Sequence, residues 1–266
     1  MIIKMDQKYE PILPLSCNDL IRIGRKSDGG YVLPKSILDK IDGLLSLGIG
    51  DDWSFEKDIL SYNSKIQVIG SDFTITKKIN NNLLYKKILK LLCGNSSISE
   101  VKKQYKFGVD YDDFYGVYAT NLGYKVSNKN EGIERRFIKI LNEFKSSNIY
   151  VKMDIEGAEY LVLDEILSLS EKIIGMSIEF HNCGSLEDSF LKYINIIKNK
   201  YILVHNHINN EGGVSFLGLP EVYEMCFIRK DMINSVDINT KIVKLPYSPL
   251  DVISNPLKDD ISITLA

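Results

Sequence analysis

Short apolar runs alternate with stretches of helical spacing along most of this chain. Gly43-Leu-Leu-Ser-Leu-Gly48-Ile-Gly50, Lys65-Ile-Gln-Val-Ile-Gly-Ser-Asp72-Phe73, residues 149–154, Ile173–Phe180, Tyr201–Asn206 and Tyr223–Arg229 each read as a buried strand. Tyr111 to Asn121 (YDDFYGVYATN) is β-like and supplies a third strand in chain order. Helical spacing predicts helices opening at Phe55 and over Gly132–Phe144, 156–169 and 185–198. Strands separated by helices predict a mainly parallel sheet covered on both faces. The two late strands leave no room for a long helix between them and predict an antiparallel edge. Two β-like runs around Ser27-Asp28-Gly29-Gly30 predict a hairpin over residues 20–33. Residues 74–107, with Leu83, Leu84, Ile88, Leu91 and Leu92 at helical spacing, predict a helical insertion on the surface or over the site. Pro11 and Pro14 predict an irregular start over the first fifteen residues. No internal repeat divides the chain, so residues 1–266 read as one α/β domain carrying that insertion.

Composition narrows the function classes. Apolar residues at 44% and charged residues at 26% are ordinary for a globular protein, and the net charge of −2 gives no reason to expect nucleic acid or an anionic membrane as partner. The lysines of the insertion read as a solvated face. No window is long and apolar enough to span a bilayer, and Met1-Ile-Ile-Lys-Met-Asp6 holds no secretory core. Cys17, Cys93, Cys183 and Cys226 form no CxxC pair, which predicts reduced thiols in a cytoplasmic protein.

The chemistry gathers at strand ends. Tyr150-Val-Lys-Met-Asp-Ile-Glu-Gly-Ala-Glu159 reads as a strand ending in a tight acidic turn that launches a helix. Ligands of open α/β sheets bind beyond the carboxyl ends of the strands, which puts Asp154 and Glu156 at the rim of a site. Acids also cap helix N-termini, but three in six residues exceed what capping needs. Gly48 and Gly50 give only two glycines of a phosphate-loop pattern, a weak signal by itself. Asp72, about twenty residues on at the next strand end, stands where an acid binds the ribose hydroxyls of a nucleoside-containing cofactor. The three histidines, His181, His205 and His207, all fall after the predicted ends of adjacent strands. Imidazole beside a carboxylate such as Glu179 suits a general base near neutral pH, and the same groups suit magnesium, manganese or iron. The sequence leaves both open.

Three segments, Leu45–Glu56, Val151–Glu159 and Leu219–Arg229, resemble the FkbM-type family of S-adenosylmethionine-dependent O-methyltransferases. Arg22-Ile-Gly-Arg-Lys-Ser-Asp-Gly-Gly-Tyr-Val32 and Val204-His-Asn-His-Ile-Asn-Asn210 resemble motifs of a branch found in bacterial capsule and surface-polysaccharide clusters. The resemblance runs from about residue 20 to the end, apart from the insertion, and its most specific part is the DIEGAE segment. It implies a Rossmann-like class I methyltransferase fold: a seven-stranded, mostly parallel sheet whose last strand is antiparallel. It implies that Gly48, Gly50, Asp51, Asp72, Asp154 and Glu156 hold S-adenosylmethionine, with Asp154 where methyl donor and acceptor meet. Ser71-Asp72-Phe73-Thr74 departs from the relatives' Asp-Pro-Thr, which keeps the acid and changes the turn.

The implied acceptor is a sugar hydroxyl on a nucleotide-activated hexose or heptose. Arg25, Asp28, Tyr31, His205 and Asn209 would bind it, with Arg22, Lys26 and lysines of 79–106 available to its diphosphate. His207 or His181 would take the hydroxyl proton, oriented by Glu179 or Asp154. Alternatively Asp154, Glu179 and His181 would hold a divalent cation against the hydroxyl. Two other readings compete: an NAD-dependent nucleotide-sugar oxidoreductase or epimerase, and a non-catalytic assembly partner with a degenerate methyltransferase fold. The first lacks a complete GxGxxG and a Tyr-x-x-x-Lys pair; the second sits poorly with intact Gly48, Gly50, Asp72, Asp154 and Glu156. A homo-oligomer is the expected assembly.

Overall fold

In the computed structural model, which describes residues 1–233, 238–242, 245, 246 and 250–265, seven strands form one sheet. In chain order they are β1 (Gly43–Leu47), β2 (Gln67–Ser71), β3 (Ala119–Asn121), β4 (Ile149–Met153), β5 (Ile173–Phe180), β6 (Tyr201–Ile208) and β7 (Tyr223–Arg229). Their order across the sheet is 3-2-1-4-5-7-6. Strands β3, β2, β1, β4 and β5 pair in parallel, and β7 runs antiparallel between β5 and β6. This is the Rossmann-like methyltransferase arrangement, with its antiparallel edge made by the last two strands.

Why these runs are strands follows from their burial. Leu45, Leu47, Val151 and Met153 enter one core cluster, while Leu44, Val68 and Tyr150 enter another. Alternate residues thus face opposite sides of the sheet, and both sides are dry, as near-continuous apolar runs require. Helices α1 (Ser54–Tyr62), α4 (Glu159–Ser168) and α5 (Glu187–Lys198) flank the sheet in the chain. On α5, Phe190, Ile194 and Ile197 mark one buried stripe at helical spacing.

The expected hairpin forms from Leu20–Ile23 and Tyr31–Pro34. The insertion is two helices, α2 (Lys77–Leu92) and α3 (Ile98–Asp113), the second opened by a Ser97–Glu100 capping box. Three expectations need correction. Only Ala119–Asn121 of the run 111–121 is strand; Tyr111–Asp113 end α3, because Tyr111 and Tyr115 pack on Trp53 at centroid distances of 5.6 and 6.1 Å. Between 132 and 144 only Phe137–Leu141 is helical, since Glu134–Arg136 pair with Lys125–Ser127. The first fifteen residues are not irregular: Ile2–Met5 pair with Ser262–Leu265, and a 3₁₀ helix spans Gln7–Ile12. Among the described residues no helix is long and apolar enough to cross a membrane.

Candidate functional site

The carboxyl ends of β1 and β4 lie side by side, and the chains leaving them touch. The Asp154 N–H donates to Leu47 O at 2.9 Å. Gly48 adopts φ +76°, and a Cβ built there would stand 1.7 Å from Asp154 O, so only glycine fits. Gly50, at φ +62°, has no atom within 4 Å of its own virtual Cβ and borders open space.

That space is a cavity of about 580 Å³ bounded by the β1, β2 and β4 ends and the hairpin loop. Six carboxylates line it (Asp28, Asp51, Asp52, Asp72, Asp154, Glu156) against three cationic side chains (Arg25, Lys125, Lys152). It lies at the switch point where the order turns from 1-2-3 to 4-5, the usual ligand crevice of such sheets. All six residues expected at a cofactor therefore fall on one wall or another of the same cavity.

Asp72 is engaged more fully than its expected ribose role requires. Its Oδ2 accepts from the Ile49 and Gly50 N–H groups at 2.8 and 2.9 Å. Its Oδ1 accepts from the Thr74 N–H and hydroxyl at 2.7 and 2.6 Å. The buried carboxylate thus fixes the glycine turn, and a ribose hydroxyl would compete with these donors. Asn121 holds the same turn from β3, accepting from Asp72 N–H and donating to Asp72 O, both at 3.1 Å.

Among the three acids after β4, Glu159 is fully buried and acts inward. Its Oε1 accepts from Ile155 N–H and Gly157 N–H and meets His181 Nδ1 at 3.1 Å. Glu156 is exposed and held at φ +55°, a conformation that costs a residue with a Cβ. Asp154 Oδ1 is enclosed without a hydrogen-bond partner, 4.0 Å from His181 Nε2. The same ring nitrogen lies 3.5 Å from Glu179 and 3.6 Å from Glu156.

These contacts set the protonation states. Burial pushes Asp154 up to about 6, with Lys152 and His181 opposing and Glu156 and Asp28 adding to the rise. Burial alone would lower His181, but the Glu159 hydrogen bond and the charges of Glu159, Asp154 and Glu156 outweigh it and raise the ring above its usual value. Burial, then Asp154, Glu224 and Asp28, drive Glu179 well above the carboxylate range. Glu179 faces Glu224 directly across β5 and β7, an arrangement that a shared or retained proton relieves.

The remaining residues expected at a substrate divide into two sets. Arg25 and Asp28 reach the cavity from the hairpin loop. Arg25 is already held there by the Asp28 carbonyl and by Asp52 at 3.3 Å. Tyr31, Asn209 and His207 stand behind the wall: Tyr31 donates to Glu179 at 3.5 Å, and Asn209 Nδ2 donates to Asp28 at 3.0 Å. His207 is buried with its Nδ1 3.1 Å from Glu224. His205 is tied to Asp251 at 2.8 Å and does not line the cavity. Arg22 is spent on the Arg25, Ser27 and Leu250 carbonyls, so it anchors the loop rather than offering itself to a diphosphate.

Sequence reasoning missed Lys152, which is 3% exposed, donates to Gly48 O at 3.2 Å and sits 3.9 Å from the buried Glu56. A lysine inside an apolar strand needs a buried partner, and that was the available signal. For a cation, the described residues bring ligand atoms of Asp154, Glu156 and His181 within 4.8 Å of one another, and separately those of Asp28, Glu179 and Glu224. Of the expected trio, Asp154 and His181 fall in the first group and Glu179 in the second, while His181 Nε2 lies within 4.0 Å of both acids.

No protein-family model matches this chain, and no curated protein does. Among solved structures it is similar to a chain of the fibrillarin/Nop5p complex, at 10% identity over 71% of this chain and 72% of that one, with a TM-score of 0.38. It is also similar to precorrin-6y C5,15-methyltransferase from Geobacter metallireducens GS-15, at 10% identity over 73% and 84%, with a TM-score of 0.36. The 23S rRNA methyltransferase ErmE matches at 8% identity over 75% and 69%, with a TM-score of 0.40. Likenesses this distant say nothing of chemistry, and the fold stands on the strand order itself.

Proposed function

We propose that the protein is an S-adenosylmethionine-dependent O-methyltransferase whose acceptor is a sugar hydroxyl. The observation that carries this reading is the charge of the cavity at the switch point. A dinucleotide brings a doubly charged pyrophosphate and needs free backbone donors or cations. Here six carboxylates face three cations, and Asp52 caps the first turn of α1, taking the Ser54 N–H at 3.3 Å and its hydroxyl at 2.8 Å. A ligand carrying a sulfonium and an ammonium suits such a wall. Gly48 and Gly50 would let it lie against the backbone, with Asp51, Asp72 and Glu156 around it. Bound there, S-adenosylmethionine supplies an electrophilic methyl group with a good leaving group already in place. Calorimetric titration should give saturable micromolar binding of S-adenosylhomocysteine and none of NAD; the reverse result would remove the reading.

For the proton, the roles expected from sequence change places. The carboxylates around His181 favour its cationic form and make it the weaker candidate for a base, whereas Asp154, at about 6, is mostly ionised near neutral pH and close to the ideal for one. Asp154 takes the acceptor's proton in this reading, and His181, oriented by Glu159, balances the charge. Glu179, Glu224 and Asn209 hold the hairpin wall through Asp28 and Tyr31. Carboxylates that accept hydrogen bonds suit a polyhydroxylated sugar. The capsule or surface-polysaccharide setting rests on the sequence resemblance, as does a nucleotide-activated hexose or heptose. Outside the acidic cavity, exposed Lys26 and the exposed lysines of 79–106 are cations a diphosphate could meet.

The carboxylates around His181 favour its charged form, which would balance them, so a divalent cation is not required in this reading. Methyl transfer should persist after dialysis against EDTA. Loss of activity that magnesium or manganese restores would instead assign Asp154, Glu156 and His181 to a metal.

A further inference from the structure

The charge of this protein is segregated. Between Thr74 and Phe107 eight lysines stand against one acid, Glu100, a formal charge of +7 that leaves −9 on the rest of a chain of net charge −2. Those residues build the α2–α3 hairpin.

Each helix carries more apolar surface than the fold covers. On α2 the only buried residue is Asn80, with Leu84 and Leu91 partly covered along the same stripe. A second stripe at i, i+3, i+4 and i+7 is bare: Tyr85, Ile88, Leu89 and Leu92 are 62, 39, 43 and 78% exposed. On α3, Ile98, Tyr105 and Val109 repeat the pattern at 62, 58 and 40%. Exposed Lys78, Lys86 and Lys90 on α2, and Lys102 and Lys106 on α3, stand beside these residues on the helix wheel. The hairpin is nonetheless fixed to the domain. Phe107 and Tyr111 pack at 5.2 and 5.6 Å on Trp53, which follows Asp51 and Asp52 of the cavity wall in the chain, and Asp110 pairs with Lys57 at 2.7 Å.

A second copy of the hairpin would bring like charge against like. A nucleic acid would use the lysines and leave the leucine and isoleucine stripe in water. An anionic bilayer surface satisfies both: aliphatic side chains enter the acyl boundary, tyrosine sits at headgroup level and lysines meet lipid phosphates. We propose that the α2–α3 hairpin docks the protein on an anionic membrane surface.

The test is flotation of the full chain with vesicles of phosphatidylcholine alone and of phosphatidylcholine mixed with phosphatidylglycerol. Binding to the mixed vesicles should be at least about tenfold tighter and should weaken with salt. The double variants Ile88→Asn/Leu92→Asn and Lys86→Glu/Lys90→Glu should each lose about tenfold or more, with an unchanged thermal midpoint showing that the domain is intact. Equal binding to both vesicle types, or undiminished binding by both variants, would overturn the proposal. So would a dimer in light scattering that Leu92→Asn dissolves while vesicles are ignored, or capture of an RNA oligonucleotide without vesicle binding.

Discussion

Replacing Asp154 by asparagine is expected to lower the turnover number by about 10²–10⁴-fold, the range for loss of a general base, while S-adenosylhomocysteine still binds. Asparagine keeps the shape of the side chain and removes its charge together with its capacity to accept the proton. In the unmodified protein, kcat/KM should fall about tenfold per pH unit below a pH of about 6, as Asp154 becomes protonated. The sign for stability is opposite. A carboxyl whose folded pKa is raised is disfavoured by folding once ionised, so stability drops as pH rises through that value. Neutralising Asp154 should therefore hold or raise the thermal midpoint, as expected of a residue kept for chemistry. Retained turnover in Asp154→Asn, with loss in His181→Ala, would return the base to the histidine; loss in His207→Ala alone would return it to β6.

Gly48→Ala is the second large effect. The added methyl would lie 1.7 Å from the Asp154 carbonyl at a positive φ, and the two strands cannot separate while Asp154 N–H is bonded to Leu47 O. A cost above about 4 kcal/mol is expected, enough to remove most of the stability of a single domain. Gly50→Ala is the control, because its methyl meets no atom within 4 Å. It should cost only the left-handed penalty of about 1–2 kcal/mol while weakening cofactor binding. Urea denaturation of the pair separates the two: equal midpoints would mean that the close approach at Gly48 does not exist in solution.

Strands β5 and β7 were legible in the sequence to the residue, because both are mainly apolar runs of strand length in which acids such as Glu179 and Glu224 are too few to impose a helical period. The run 111–118 was not. Its aromatic residues read as strand, but the packing of Tyr111 and Tyr115 around Trp53 prefers a helical turn, and local propensity gives way to tertiary contact. The cavity wall was legible for the same reason as β4: acids placed after an apolar strand in a parallel sheet have one place to go. What stayed hidden was depth. Sequence cannot say that Glu159, at the start of α4, turns inward to His181 while Glu156, in the turn before it, is exposed, since both closely follow the same strand. Nor could it rank the histidines: only His181 follows a strand end, whereas His205 and His207, expected there too, lie inside β6 and are closed off by Asp251 and Glu224.

The neighbours β1 and β4 come from far apart in the chain: Leu45 pairs with Val151 across 106 positions, while every other pairing in the sheet joins residues closer in sequence. Contacts of that range close late, after local hairpins and helices have formed. The floor of the cavity is this same seam, so no half-assembled chain offers a ligand both walls. A ligand that spans it recognises only the finished sheet, and its binding draws the population toward that state by mass action. Ligand supply would then govern how long a newly made chain survives proteases, as well as how fast it works.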